Sequence, residues 1–306
     1  MTFKARGLYA SSSKEPGSGF RTGPWLLLGG ALVVVLVVVT VFSALGNVGL
    51  NRGERGDSFA APERVVIENE TGGEVRLSGT DAPEVRVDRS LRGTPFNEPD
   101  DEIELDGGEL TIDAECSGLW FVGDCAVDYD IAVPAGVSVE VQNHRGMIVA
   151  TGIDGDVRAE TLSGRVEVEG ITGSADLETV SGSIVATGTG ERLSAVSVSG
   201  RIDVSGFDAE TVEAESVSGS VSVGDGFTTA EVSTTSGGID VSTDTRFETL
   251  AVESTSGSVD VRVPEGAYDV TGSSVSGGRD IGVDASASGP RVQVDTISGG
   301  VTVRSG

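Results

Sequence analysis

Nine copies of one short unit, spaced almost evenly from residue 143 onward, restrict the fold of this chain more than any other feature. The unit reads T/S-[LVT]-S-G-x-[VI]-x-[VI]. It occurs as T-L-S-G-R-V-E-V at 161–168, T-V-S-G-S-I-V-A at 179–186 and S-V-S-G-R-I-D-V at 197–204. Further copies are S-V-S-G-S-V-S-V (216–223), T-T-S-G-G-I-D-V (234–241) and S-T-S-G-S-V-D-V (254–261). The last two are S-V-S-G-G-R-D-I (274–281) and T-I-S-G-G-V-T-V (296–303), and a degenerate first copy is N-H-R-G-M-I-V-A (143–150). The glycines at 146, 164, 182, 200, 219, 237, 257, 277 and 299 are separated by 18, 18, 18, 19, 18, 20, 20 and 22 residues. Self-similarity at such a period marks a solenoid, in which each repeat buries its apolar face only against its neighbours.

The unit is built for strands. Gly, Ser, Thr and Val are poor helix formers, and V-x-V alternation places successive side chains on opposite faces of a strand. Extending that alternation through one rung puts Leu162, Val166 and Val168 inward, with Thr161, Ser163, Arg165 and Glu167 outward. Gly170 and Gly173 then form a turn, and Ala175 with Leu177 begins a second inward stripe. The Ser-Gly pair suits a corner, where Gly tolerates positive φ and Ser bonds local backbone. Each rung thus holds two short strands and two corners, and rungs stacked at about 4.8 Å form parallel ladders. Aromatic residues make up only 5% of the chain, so the core must come from small and β-branched side chains. The expected fold class is an all-β, parallel β-solenoid (β-helix-like) ectodomain preceded by one transmembrane α-helix.

Residues 63–142 read as an irregular N-terminal part of the same body. Gly73 to Leu77 and Gly108 to Ile112 echo the G-x-[VIL]-x-[VIL] core, with 91–101 (Pro95, Pro99) as a loop excursion between them. Solenoids expose strand edges at their ends and need caps. The loop from Cys116 to Cys125, carrying Trp120 and Phe121, is the expected cap at one end. At the other end the sequence stops three residues beyond Val303, leaving an expected open edge for association between copies.

Ahead of this body, residues 25–45 form an apolar run with no charge between Arg21 and Arg52. As a helix it would span about 31 Å, close to the ~30 Å hydrocarbon core, with Trp25 at the headgroup level. Four Lys/Arg precede it (Lys4, Arg6, Lys14, Arg21) and two follow before Pro62 (Arg52, Arg55). The positive-inside bias therefore predicts a cytoplasmic tail at 1–24, a transmembrane helix at 25–45 and a linker at 46–62. The regular repeats at 143–306 and everything else beyond the linker would lie outside the membrane. A cleaved signal peptide ending near Ala44-Leu45-Gly46 is the rival reading, although its apolar region would be unusually long. Either way the remainder is exported. Two cysteines nine residues apart in an oxidising compartment are then expected to form a disulfide, Cys116–Cys125.

The net charge of −27 is unevenly distributed. Residues 1–24 hold four cations and one anion (Glu15), so the rest carries 21 − 4 = 17 cations and 48 − 1 = 47 anions, a net of −30. Such a surface repels nucleic acid.

The lead-in D-Y-D-I-A-V-P-A-G-V-S-V-E-V-Q-N at 128–143, followed by S-G-x-[VI]-x-[VI] rungs, resembles the bacterial putative-adhesin β-repeat family. The resemblance covers about 63–306. It implies one N-terminal membrane helix, in many members, joined to a domain of unknown biochemical activity. The motifs specify architecture better than function.

No catalytic or cofactor-binding constellation appears, and the chain reads as a non-enzyme. The only histidine, His144, lies in the degenerate first rung without a cluster around it, which leaves no Ser-His-Asp reading. Glu167, Asp203, Asp240, Asp260 and Asp280 share one outward column of the expected rungs. That column is the candidate calcium site, since hard oxygen ligands in a row suit Ca²⁺, but the repeat lacks the G-G-x-G-x-D nonapeptide of calcium-bound β-rolls. The functional expectation is a cell-membrane protein, single-pass through residues 25–45, binding an envelope polymer or surface protein. Alternatives are a structural or partner-recruiting envelope protein that self-associates through its C-terminal edge and, more remotely, a glycan-active enzyme. The last would need paired carboxylates in a groove with sugar-stacking aromatics, and the regular repeats offer only Phe207, Phe227, Phe247 and Tyr268.

Overall fold

The structure, a computed structural model, describes residues 23–46, 50–118 and 123–306. It contains two compact units, divided between Leu45 and Gly46.

The first unit holds one α-helix, Gly23–Gly46, over the expected apolar run. Its side chains are described at 29–41 and 43, and those from Leu32 to Val39 are exposed on every side of the helix. Among the described residues no helix is long and apolar enough to cross a membrane.

The second unit is the solenoid. Strands one repeat apart pair in parallel and in register: Val157 to Glu160 lie beside Val139 to Gln142 on one side and Ala175 to Glu178 on the other. The second strand of each rung does the same, Val166 to Val168 lying between Ile148 to Ala150 and Ile184 to Ala186. The interior is filled by Val, Ile, Leu and Ala from both ladders, for example Val157, Ala159, Val166, Val168 and Ile171. Three of its aromatic residues form a file. Phe227 and Phe247 have ring centroids 5.5 Å apart, and Phe247 stacks on Tyr268 at 5.7 Å.

The inward phase differs from expectation at the first strand. Thr161 is buried and Leu162 is exposed. Val157, Ala159 and Thr161 set the alternation, and the Ser163-Gly164 corner then shifts the phase by one residue before Val166 and Val168 turn inward. Counting back from Val166 through the corner therefore assigns Leu162 to the wrong face. The outcome is an internal column of hydroxyls and amides: Asn69, Asn143, Thr161, Thr179, Ser197, Ser216, Thr234, Ser254 and Thr296. Several of these point at the corner carbonyl of the preceding rung, as Thr179 Oγ1 does to Gly164 O and Ser197 Oγ to Gly182 O, both at 3.4 Å.

In the middle rungs the corner glycines answer to stacking rather than to turn conformation, whereas Gly146 and Gly299 also take a positive φ. Gly164, Gly182, Gly200 and Gly219 have no left-handed φ. A Cβ on Gly182 would lie 1.8 Å from Gly164 O, and one on Gly219 would lie 1.8 Å from Gly200 O.

Both ends of the solenoid depart from chain order. Along the axis the rung at 109–134 comes first, then 64–80, then 138–151. At the far end the rung at 291–305 is inserted between 249–263 and 267–282. The free C-terminal edge therefore belongs to 267–285 and not to the residues around Val303, which are covered on both sides. Its strands are short, Ser274–Ser276 and Arg279–Gly282, and carry Arg279 and Asp280, features that blunt an edge.

At the opposite end the cap is made of antiparallel strands. Glu84–Gly93 pairs with Ala126–Pro134, and Asn97–Asp106 pairs with Glu109–Gly118. The expected loop at 91–101 is thus mostly strand, and Pro99 sits opposite Cys116 on an edge strand, where its missing N–H costs no ladder bond. The expected linker contains a further strand, Leu50–Ala60, paired with Glu84–Gly93. Trp120 and Phe121 lie outside the described residues.

The expected disulfide Cys116–Cys125 is present, with Cα atoms 6.2 Å apart. It closes the excursion between the two strands of the first rung. Replacing both cysteines by serine is expected to lower stability by about 2–3 kcal/mol, because a short loop of the unfolded chain is released. The measurement is the urea midpoint of wild type with and without reductant beside that of the variant. Coinciding midpoints for reduced and oxidised wild type would contradict it.

Candidate functional site

The phase shift at Leu162 gives the solenoid a side groove. Glu160 and Leu162 flank the buried Thr161 and both project outward, and the same three positions recur in every rung. One wall is acidic. The ladder register stacks Gln142, Glu160, Glu178, Val196, Glu215, Ser233, Glu253 and Asp295 in that order.

The other wall is aliphatic at its two ends. Leu162 is 54% exposed, Val180 47%, Val198 46%, Val217 46% and Ile297 56%. Thr235 and Thr255 interrupt it, and His144 stands at its start, also exposed. Four consecutive aliphatic rungs from Leu162 to Val217 cover roughly 14 Å at strand spacing. The inward hydroxyl column forms the floor.

The electrostatics of the acidic wall vary along its length. Arg158 pairs with Glu160 at 2.5 Å and also reaches Asp176, neutralising one end. At the other end Asp295 accepts hydrogen bonds from Gln293 Nε2 at 3.0 Å and Ser273 Oγ at 2.9 Å. These bonds, Gln293's first, hold its carboxyl below the usual aspartate range. Glu215 and Glu253 have no ion-pair partner among the described residues. A second outward column, with Asp176, Glu213 and Glu231, runs beside the first and adds to the negative field.

The calcium candidates do fall in one column, but they are not contiguous. The order is Glu167, Val185, Asp203, Ser222, Asp240, Asp260, Thr302, Asp280. Only Asp240 and Asp260 are neighbours, and the insertion of the last rung moves Asp280 away from Asp260. Asp280 pairs with Arg304 at 3.0 Å, Glu167 lies 3.8 Å from Arg165, and Asp203 accepts from Ser205 Oγ at 2.7 Å. No group of three His, Cys, Asp or Glu side chains able to hold a metal occurs among the described residues. Phe207, Phe227, Phe247 and Tyr268 are all buried, so none offers a stacking surface for sugar rings.

The aliphatic wall escaped sequence reasoning although its signal was present. In V-R-A-E-T-L-S-G the residues in phase with Val157 and Ala159 include Thr161 and exclude Leu162, and the same reading applies to Ala175, Leu177, Thr179 and Val180.

A family profile described as Toastrack DUF4097 matches residues 63–304. No curated protein matches the sequence. Solved structures with a similar course include a putative adhesin from Bacteroides fragilis NCTC 9343, with 11% identity, a TM-score of 0.46, and 83% of this chain and 97% of that one covered. A putative adhesin from Parabacteroides distasonis ATCC 8503 has 14% identity, a TM-score of 0.41 and coverages of 82% and 96%. A putative lipid binding protein from the same organism has 14% identity, a TM-score of 0.38 and coverages of 82% and 97%.

Proposed function

The chain belongs to the Toastrack DUF4097 family, and we propose that it is a membrane-anchored, extracytoplasmic binding module that presents the side groove of its solenoid to a surface partner, in the manner of an adhesin. The observation that carries this reading is the aliphatic wall. Leu162, Val180, Val198 and Val217 stay half exposed in a contiguous row, and an ordered apolar stripe rimmed by charge marks an interaction surface. A solenoid suited only to solubility would place Ser or Thr there, as it does at 235 and 255.

The apolar run at 25–45, longer than the stretch of described side chains at 29–41, is the anchor in this proposal. Its exposed Val and Leu side chains from 32 to 39 surround the axis, and a helix apolar on all sides needs lipid or a protein core around it. The bias of Lys4, Arg6, Lys14 and Arg21 over Arg52 and Arg55 puts the N-terminus in the cytoplasm and the solenoid outside. The proposed activity is binding without chemistry, and calcium has a role only if it bridges Asp240 and Asp260.

The test is co-sedimentation of the full-length protein with isolated cell-envelope material, with and without calcium. The comparison is a variant carrying Leu162→Ser, Val180→Ser, Val198→Ser and Val217→Ser. Saturable binding by wild type, weakened at least about tenfold in the variant, is the expected result, since such an apolar row contributes a few kcal/mol when covered. Equal binding by both proteins would remove the groove from the proposal, and absence of binding in either buffer would sink it.

A further inference from the structure

We infer that the partner segment seated in this groove is a cationic amphipathic α-helix of about three turns, an inference that rests on the binding-module reading above. The groove runs along the solenoid axis, across the strands, and the backbone groups beneath it are already paired with the rungs on either side. An extended peptide laid along it therefore finds no sheet edge to join, so strand addition is excluded and recognition must come from side chains.

The spacing suits a helix. Leu162, Val180, Val198 and Val217 repeat at about 4.8 Å, while one face of an α-helix presents residues three or four apart at about 5–6 Å. Four rungs, roughly 14 Å, correspond to some ten helical residues at 1.5 Å each. The apolar stripe of the helix would lie on the aliphatic wall and its basic flank on Glu178 and Glu215, with Glu213 behind them, while Glu160 and Asp176 are already held by Arg158.

Charge also argues against the competing occupants. A second copy would oppose acidic wall to acidic wall, and an anionic lipid surface would meet the same repulsion. A neutral glycan would want exposed aromatic rings, and Phe207, Phe227, Phe247 and Tyr268 are buried.

The experiment uses the full chain in nanodiscs of uncharged lipid, with empty nanodiscs as the reference. The probe is a synthetic peptide of about 14 residues, Leu and Lys in helical amphipathic order, followed by fluorescence anisotropy. The controls are a scrambled peptide of identical composition and a second in which Glu replaces Lys. The expected result is binding at least tenfold tighter than that of the scrambled peptide, none by the Glu peptide, and weakening when salt is raised to about 0.3 M. The four-fold Leu/Val→Ser variant and a Glu178→Gln/Glu215→Gln variant should each lose at least tenfold in affinity. Thermal unfolding of each should match wild type, because these substitutions are superficial.

Equal affinity for the scrambled peptide, or unchanged affinity in the serine variant, would reduce the interaction to general attraction between opposite charges and overturn the inference. Envelope co-sedimentation that depends on the aliphatic wall, together with no binding of the helical peptide, would overturn it too while leaving the binding-module reading in place.

Discussion

Alanine at Gly200 will cost the solenoid more than about 4 kcal/mol, enough to separate the rungs on either side or to prevent folding. The size of the effect comes from backbone, not from turn conformation. A Cβ added at Gly200 lies 1.6 Å from the carbonyl oxygen of Gly182 and 2.5 Å from its carbon, and neither atom can rotate away as a side chain could. Relief requires the corner to lift by more than an ångström, yet the corner is tied on both sides. Gly182 N–H donates to Ser199 O at 3.0 Å, and Gly200 N–H donates to Ser218 O at 3.1 Å. Each of these corner bonds, at a partly exposed site, costs about 1 kcal/mol when broken, and the adjoining core contacts of the fully buried Ile184 and Ile202 loosen with them. Losses above 4–5 kcal/mol are exceptional and need such a named cause. Gly170 supplies the control. Its φ is +62° and a Cβ there meets nothing within 4 Å, so Gly170→Ala should cost only the roughly 1–2 kcal/mol of a left-handed L-residue. Urea unfolding of both variants decides the matter: a Gly170→Ala protein less stable than Gly200→Ala would mean that φ, and not rung-to-rung contact, fixes glycine at these corners.

The contrast between these two glycines shows where the sequence was legible. Period and alternation revealed the solenoid, the parallel in-register stack and the column of Glu167, Asp203, Asp240, Asp260 and Asp280, because those depend only on spacing along the chain. Rung order at the ends was not legible. Strands 64–69 and 291–298 each lie between two others, and a repeat motif says what a rung looks like without saying which rung it touches. The cap was hidden for a related reason. Asn97–Asp106 carries Pro99 and a run of acids, and only its pairing with Glu109–Gly118 makes it a strand. For the groove, the phase of Leu162 was recoverable from Val157 and Ala159, but a corner that resets the alternation looks, in sequence, like any other Ser-Gly.

Removing one member of the charged plug in the N-terminal cap should cost about 3–5 kcal/mol, whereas removing both of its central members should cost little. Arg89 reaches Asp101 with Nε to Oδ2 at 2.5 Å, and their side chains are only 11% and 2% exposed. Arg89 also contacts Asp57 at 2.8 Å, and Arg55 contacts Asp101 at 3.2 Å. The two chain segments bring these charges to the same buried place from opposite ladders, since Arg89 lies across from Tyr129 and Asp101 across from Ala114. Burial, and then the negative charge of Asp101, pushes the Tyr129 hydroxyl well above the usual tyrosine range, with Arg89 opposing. Asp101→Ala leaves a guanidinium whose remaining partner, Asp57, is half exposed; Arg89→Met leaves a carboxylate at 2% exposure with only the exposed Arg55 as partner. The Arg89–Asp101 contact is close but not aligned as a hydrogen bond, so its attraction only partly offsets the desolvation of two charges. Arg89→Met with Asp101→Leu replaces that pair by apolar volume and should restore wild-type stability or exceed it. Chemical unfolding of the two single variants and the double variant forms the cycle. Single losses that simply add in the double would show that the plug is a set of independent surface charges instead of a coupled, buried unit that closes the end of the core.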